Sequence, residues 1–224
     1  MCGRFSYTSP VAATAELFGV EGRPNIEPRY NIAPTQAIAT VIAATSARAR
    51  WQPMRWGLPS PRGDGTPLIN ARSETAAEKP TFAGLVNTQR CLVPADGYYE
   101  WLRDGRDPLP YYVRVPDTPS VFAALWAPVA IGEQTQACTI LTRSAEGSAA
   151  TVHHRMPVII DASDVGHWLD PAIGWAQVAD LIAAPPPPAL VASPVDPRVG
   201  KVSFDGPDCH KPYTPPARQQ LSLF

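Results

Sequence analysis

Proline divides this chain into short segments and so limits the length of every helix and strand. The sequence has 27 prolines among its 224 residues, and a proline inside a helix removes a hydrogen bond and clashes with the preceding turn. Four of them, at 185–188, end a helix that we predict over 172–184. Between prolines lie short runs rich in β-branched and aromatic residues, such as 37–43 and a hairpin formed by 98–101 and 111–115. These features predict an α+β fold, a single domain built on antiparallel, barrel-like β-sheet with short peripheral helices.

Composition indicates a globular chain. Hydrophobic residues make up 45% of the sequence, which supplies a core for one medium-sized domain. No stretch approaches the roughly 20 apolar residues that span a bilayer, and the start lacks the basic and apolar regions of a signal peptide. We therefore expect a cytoplasmic protein that does not bind a membrane.

The four cysteines are widely scattered, at Cys2, Cys91, Cys138 and Cys209, with no CxxC pair. This spacing argues against a disulfide framework and against a zinc site, so we expect reduced thiols, no metal and no cofactor. The net charge is −1. Any nucleic-acid binding must therefore come from a local basic patch, because the chain as a whole has no positive field.

Cys2 directly follows the initiator methionine, and this position gives it chemistry that an internal cysteine lacks. Once Met1 is removed, Cys2 carries a free α-amine and a thiol on adjacent carbons, and both groups are partly nucleophilic near neutral pH. The amine can condense with an aldehyde, after which the thiol closes a five-membered thiazolidine. Alternatively, the thiol can attack a carbonyl while the amine acts as base, or Cys2 can be an ordinary buried residue. Its position alone leaves these interpretations open.

Five sequence motifs accompany this cysteine between residue 2 and about residue 160. They are MCGRF at 1–5, PRYNIAPTQ at 28–36, NARSET at 70–75, GYYEW at 97–101 and VHHRMP at 152–157. With them, the chain resembles the SOS-response-associated peptidase family, whose members crosslink to abasic sites in single-stranded DNA. From this resemblance we place the domain at 1–205 and a flexible tail at 206–224.

The resemblance implies that the amine and thiol of Cys2 capture the ring-opened sugar aldehyde of an abasic site as a stable thiazolidine. Glu100, on a strand among aromatic residues, is expected to donate and accept protons during imine formation and ring closure. His153 is expected to act as a proton shuttle; His154, where many relatives are expected to have Asp, competes for that role. The amide of Asn70 is expected to orient the Cys2 amine or the sugar hydroxyls, although an Asn at such a turn is often a cap.

The resemblance also implies a surface for single-stranded DNA, which needs cationic contacts along the backbone and apolar surfaces for bases. The predicted phosphate contacts are Arg4, Arg72 and Arg155. Stacking or wedging surfaces are expected from Pro34, Trp56 and Trp101, with core packing open as an alternative for both tryptophans. Thr142 completes the predicted DNA-binding set.

The last five residues, QLSLF, look like the peptide with which bacterial replication and repair proteins dock on the sliding clamp. Gln220, Leu221, Leu223 and Phe224 would form this partner-binding motif, since apolar anchors on a polar tail invite a hydrophobic pocket. A segment that folds back on its own domain is the alternative. We expect a monomer that acts on the nucleoid at replication forks.

Other functions remain open from the sequence. Class II glutamine amidotransferases also begin with Met-Cys-Gly and use an N-terminal cysteine as nucleophile, although those domains would lack NARSET and HxRMP. Three further functions are possible from the sequence. They are a peptidase that acts on its own N-terminus, a lyase that nicks DNA through an imine, and a noncovalent binding module in which Cys2 is inert.

Overall fold

The computed structural model describes residues 2–44, 48–103, 107–132, 134–187 and 189–215. Within them the strands are β1 Arg4–Tyr7, β2 Val20–Glu21, β3 Arg29–Ile32, β4 Ala37–Ala43, β5 Ala49–Trp56, β6 Asn70–Arg72, β7 Arg90–Ala95, β8 Gly97–Leu102, β9 Leu109–Arg114, β10 Ser120–Ile131, β11 Gln134–Ser144, β12 Arg155–Pro157, β13 Ile159–Ile160 and β14 Val191–Pro194. The α-helices are α1 Val11–Phe18, α2 Pro80–Ala83, α3 Gly147–Ala150, α4 Val165–Leu169 and α5 Ala179–Ala183. Short 3-10 helices lie at Ser73–Thr75, Ala162–Asp164, Trp175–Val178, Pro197–Gly200 and Pro207–His210.

One sheet has the strand order β14-β9-β8-β1-β3, with antiparallel pairing throughout. The predicted aromatic hairpin is confirmed as β8 and β9, where Tyr99 is paired with Tyr112. Asp104-Gly105, which indicate the turn of this hairpin, lie outside the described residues. Because β1 lies between β8 and β3, the first residues of the chain are held on both sides.

The second sheet closes on itself. Strands β11, β10, β7, β4 and β5 pair in that order, and β11 also pairs in parallel with β5, which completes a ring. Closure leaves these strands without an open edge. The short strands β6 and β12 both pair with β11 near Thr142, β6 in parallel and β12 antiparallel. The observed architecture therefore confirms the predicted α+β domain with a barrel-like sheet and few short helices.

The start of the chain belongs to the hydrophobic core. Cys2 is fully buried in a cluster with Phe5, Trp56 and Phe122. The ring of Phe5 meets Trp56 edge-on with 5.1 Å between ring centres and Phe122 at 6.3 Å, an arrangement that aromatic pairs favour. This packing fixes the direction in which the chain leaves Cys2.

Two segments differ from the sequence-based expectation. Prolines at 24, 28 and 34 indicate an irregular loop over 22–36. This segment instead contains β3, whose Tyr30 and Asn31 amides donate to Asp205 Oδ1 at 2.6 and 2.9 Å. Beyond residue 205, Cys209 is fully buried, and the Tyr213 amide donates to the Pro194 carbonyl at 2.9 Å. The first residues of the expected flexible tail, up to Tyr213, therefore pack against the domain.

Candidate active site

Cys2 and Glu100 are brought together by the pairing of β1 with β8. The register sets Phe5 opposite Tyr98 and Arg4 opposite Tyr99, so continuing it by one place sets Gly3 opposite Glu100. Burial raises the pKa of the Cys2 thiol well above its ordinary value, and the nearby Glu100 carboxylate raises it further. The thiol therefore keeps its proton at neutral pH in this enclosure.

The imidazole of His153 lies beside the carboxyl group of Glu100, with 3.8 Å between Nδ1 and Oε1. His153 Nδ1 also accepts a 3.0 Å hydrogen bond from the backbone N–H of Arg155, so the neutral ring carries its proton at Nε2. Burial lowers the pKa of His153, while Glu100 opposes that shift. A neutral imidazole beside a carboxyl group can take up and release protons near neutral pH.

Asn70, the first residue of β6, contacts Cys2 directly. Its Nδ2 donates a 2.8 Å hydrogen bond to the main-chain carbonyl of Cys2, and the pairing of Asn70 with Ile140 fixes its place. Its Oδ1 is buried and has no hydrogen-bond partner within the described residues. A buried acceptor without a donor costs about 1–3 kcal/mol, so this oxygen is suited to an incoming N–H or O–H group.

An open cleft of about 800 Å³ lies against Glu100 and His153. The other side chains that line it are Trp101, Leu102, Arg103, Pro108, Ala150, Val152 and His154. The His154 ring lies against that of His153 at a tilt of 31°, with 4.2 Å between ring centres. The sequence did not predict the aliphatic residues of this cleft, Leu102, Pro108 and Ala150. No motif marks them, and they come from separate segments.

Arg4 makes contacts within the protein. Its Nη1 donates to the side chain of Asn31 and to the carbonyl of Val199, both at 2.9 Å, and its Nη2 donates to the carbonyl of Gly200 at 3.0 Å. A phosphate would have to compete with these acceptors. In this conformation, Arg4 fastens the start of β1 to the 3-10 helix Pro197–Gly200.

Arg155 and Thr142, predicted to contact DNA, are 6% and 1% exposed. Arg155 pairs with Glu74 through both guanidinium Nη atoms, at 2.6 and 2.8 Å. The Thr142 hydroxyl donates to the Ala71 carbonyl at 3.4 Å. In this conformation neither side chain presents a free surface to DNA.

The remaining predicted DNA contacts differ in exposure. Trp56 is fully buried and donates from Nε1 to the Ile69 carbonyl at 3.0 Å, so its ring packs in the core and cannot stack on a base in this conformation. Arg72 is exposed, whereas Pro34 and Trp101 are half-buried. The predicted clamp-binding residues, 220–224, lie outside the described residues.

Among the described residues, no group of three or more His, Cys, Asp or Glu side chains is arranged to hold a metal ion. In that same part of the chain, none of the helices has the length and apolar character needed to cross a membrane.

Comparison with known proteins gives a family-level match. The model of the SOS response associated peptidase (SRAP) family matches residues 1–202. The chain is 35% identical over 182 residues to abasic site processing protein YobE of Bacillus subtilis (strain 168), covering 76% of this chain and 83% of that protein. It is 29% identical over 222 residues to abasic site processing protein YedK of Escherichia coli (strain K12), covering 95% of this chain and 100% of that protein.

Solved structures are similar to the fold as well. A phage-related protein of Bordetella bronchiseptica, 30% identical, has a TM-score of 0.73, with 87% of this chain and 94% of that chain covered. A protein of Bacteroides thetaiotaomicron, 22% identical, has a TM-score of 0.75, with 88% and 93% covered. The second likeness concerns the fold alone.

Proposed function

Because the chain belongs to the SOS response associated peptidase family, we propose that it processes abasic sites in single-stranded DNA by forming a covalent thiazolidine through Cys2. The relatives in B. subtilis and E. coli are named abasic site processing proteins, which supports the choice of substrate. The observation that carries the proposal is a chain of contacts that links four residues from separate segments: Asn70 to Cys2, Cys2 to Glu100, and Glu100 to His153.

The reaction begins with removal of Met1 and with the ring-opened sugar, whose C1′ is an aldehyde. The Cys2 amine adds to C1′, and the resulting carbinolamine loses one water to give an imine. The Cys2 thiol then adds to the same carbon, and its proton passes to the nitrogen. Two bonds now join C1′ to the protein. A thiol with a raised pKa suits this order of steps. It stays protonated while the imine forms and gives its proton to the nitrogen only when the sulfur attacks C1′.

Glu100 and His153 supply the proton transfers. A carboxyl group next to the Cys2 thiol can protonate the departing hydroxyl of the carbinolamine and later receive the thiol proton. His153, 3.8 Å from Glu100, can exchange protons between that carboxyl group and the open cleft. Asn70 holds the Cys2 carbonyl, and its Oδ1 can accept a hydrogen bond from the Cys2 amine or a sugar hydroxyl.

The imine stage also permits strand cleavage. If a base removes a proton from C2′ before the thiol closes the ring, the 3′ phosphate leaves by β-elimination. Attack by the adjacent thiol of Cys2 competes with this step because no diffusion is needed. We therefore propose crosslinking as the main outcome and nicking as a minor lyase activity.

DNA enters along the cleft in this proposal. Trp101 offers a partly exposed ring on which a base can stack, and Arg72 offers an exposed guanidinium for phosphate. Pro34 is the proposed wedge beside the abasic gap. Binding as a monomer at replication forks is the expected context.

A crosslinking assay tests the proposal. The full chain is incubated with a single-stranded oligonucleotide containing one abasic site, and a heat-stable shifted band is sought on a denaturing gel. Wild type and Cys209→Ala, which removes an internal buried thiol, are expected to form the band. Cys2→Ala and a chain extended before residue 2 are expected to lose it. Equal crosslinking by all four proteins, or glutamine hydrolysis without an adduct, would overturn the proposal.

We also propose that residues 220–224 dock on the bacterial sliding clamp. The support is the sequence of the segment, a polar tail with Leu221, Leu223 and Phe224 as apolar anchors. Deleting these residues is expected to abolish retention of the clamp in a pull-down and to leave crosslinking unchanged. Clamp retention by the truncated chain would refute this part.

A further inference from the structure

An ion pair between the buried guanidinium of Arg155 and the exposed carboxylate of Glu74 links two segments of the candidate site. Arg155 donates from Nη1 to Glu74 Oε1 at 2.6 Å and from Nη2 to Glu74 Oε2 at 2.8 Å. Arg155 Nη2 also donates to the carbonyl of Thr142 at 2.5 Å. This fork-to-fork geometry fixes orientation as well as distance, which a single contact would not. The guanidinium is therefore immobilised across β11.

Each partner of the pair is close in sequence to a residue of the site. Glu74 lies in the 3-10 helix Ser73–Thr75, directly after β6, and β6 begins with Asn70, which holds the Cys2 carbonyl. The backbone N–H of Arg155 donates to His153 Nδ1 at 3.0 Å. The ion pair thus connects the segment that positions Cys2 with the segment that positions His153.

We infer that Glu74 is a positioning residue which, by anchoring Arg155, holds the His153 ring with Nδ1 toward Glu100 and Nε2 toward the cleft. This inference rests on the crosslinking function proposed above. It gives Arg155 a role inside the protein, where Glu74 and the Thr142 carbonyl hold its guanidinium. Glu74 is the fifth residue of the NARSET motif, where no role follows from its residue type alone.

The charges around His153 determine what loss of Glu74 does. Glu100, 3.8 Å from Nδ1, raises the pKa of His153, whereas the charged amino terminus and His154 lower it. Arg103 lines the same cleft. Arg155 follows two residues later, with its charge compensated by Glu74. Replacing Glu74 by glutamine leaves that guanidinium uncompensated, and an extra positive charge nearby disfavours the imidazolium form of His153.

The first experiment measures His153 in the free protein. In the full chain with isotope-labelled histidine, the His153 ring is followed by NMR across the range in which imidazoles titrate. Glu74→Gln is expected to lower the titration midpoint of His153 by about half a pH unit. Adding Arg155→Gln to that variant is expected to return the midpoint toward wild type, because both charges are then absent. The matched control is Glu78→Gln, an exposed carboxylate with no side-chain hydrogen bond or ion pair among the described residues.

The second experiment measures crosslinking rate against the concentration of the abasic oligonucleotide. Glu74→Gln is expected to lower the rate at saturating DNA about tenfold, since positioning affects proton transfer, with the half-saturating concentration unchanged. Glu74→Asp keeps the charge and is expected to recover the wild-type His153 midpoint and part of the rate. If Glu74→Gln does not fold, the maximal rates of Glu74→Asp and Glu78→Gln are compared instead. A lower maximal rate for Glu74→Asp alone, with the half-saturating concentration unchanged, supports the inference, and equal maximal rates overturn it.

Two results would overturn the inference. One is a His153 midpoint in Glu74→Gln equal to that of wild type. The other is a changed half-saturating concentration with an unchanged maximal rate, which would mean that Glu74 and Arg155 act on DNA binding. Absence of crosslinking by wild type would instead overturn the proposed function, while the NMR measurement would still decide whether Glu74 controls His153.

Discussion

Asn70 holds the main-chain carbonyl of Cys2 through a 2.8 Å hydrogen bond from Nδ2. This contact joins β6 to the start of the chain, so the direction of the Cys2 backbone depends on a side chain 68 residues away. The hydrogen bond adds to the core packing around Cys2 and orients its carbonyl within the buried cluster.

Removal of this anchor is expected to slow crosslinking. A hydrogen bond contributes about 1 kcal/mol net, so Asn70→Ala should lower the rate at saturating abasic DNA roughly fivefold or more. The measurement is single-turnover crosslinking on a denaturing gel. Asn25→Ala, at an exposed asparagine whose amide reaches only Glu27 within the described residues, serves as the control. A wild-type rate for Asn70→Ala would show that the hydrogen bond does not position Cys2.

Stability is expected to fall as pH falls below the ordinary histidine range. Burial lowers the pKa of both His153 and His210, so between their native pKa values and about 6.5 the unfolded chain binds more protons than the native chain. The free energy of unfolding therefore rises with pH through this window. Carboxyl groups whose pKa is lowered in the native state, such as Glu74, make the free energy of unfolding depend on pH in a lower pH range.

The variant His210→Phe tests how much His210 contributes to the pH dependence of the free energy of unfolding. The His210 ring stacks on Tyr112 with 4.3 Å between ring centres. Phenylalanine can keep this stacking but cannot bind a proton. The free energy of unfolding, measured in urea at several pH values, is expected to change with a smaller slope for His210→Phe than for wild type. Identical slopes for His210→Phe and wild type would contradict the assignment.

Arg90 is expected to be essential for stability. It is 3% exposed, and its guanidinium donates to the carbonyls of Trp168, Val86, Asn87, Asp170 and Ile173. Arg90→Met removes the charge and leaves these acceptors without their donor, so the free energy of unfolding should fall by about 3 kcal/mol or more. Chemical denaturation checks this, with Arg50→Ala at an exposed arginine as control. A loss as small as that of the control would refute it.

Gly97 is expected to tolerate no side chain. A Cβ at this position would lie 2.7 Å from ring atoms of Tyr112 and 2.7 Å from the Val113 carbonyl oxygen, and Tyr112 is packed in the sheet. Gly97→Ala should therefore destabilise the chain by about 1–3 kcal/mol. Gly84→Ala, where the Cβ meets no atom within 4 Å, is the matched control in thermal unfolding. Equal stability of the two variants would contradict the close approach of β8 and β9.

Local patterns predicted much of the fold. The strand expected over 37–43 is β4. Ser9-Pro10 and Gly19 indicate the start and the end of a short helix, and this helix is α1, whose C-cap Gly19 has φ 65°. The helix expected over 172–184 is instead the 3-10 helix Trp175–Val178 followed by α5. The strand β3 was missed, because Asp205, far along the chain, provides the hydrogen bonds that hold it.

The candidate site was predictable only in part. Motifs identified Cys2, Asn70, Glu100 and His153, and the structure brings them together. What a motif does not show is which of its polar groups bind other parts of the protein. Arg4 and Arg155 have the residue type of a phosphate contact, yet their donors reach carbonyls and a carboxylate supplied by segments distant in sequence.

The central claim is tested most directly by the mass of the covalent product. The full chain is reacted with an abasic oligonucleotide, the DNA is digested, and the crosslinked peptide is sequenced by mass spectrometry. The account predicts a peptide that begins at Cys2, carries the sugar on that residue, and weighs one water less than peptide and sugar together. A product that retains Met1, or that carries the sugar on a lysine such as Lys79, would contradict the account.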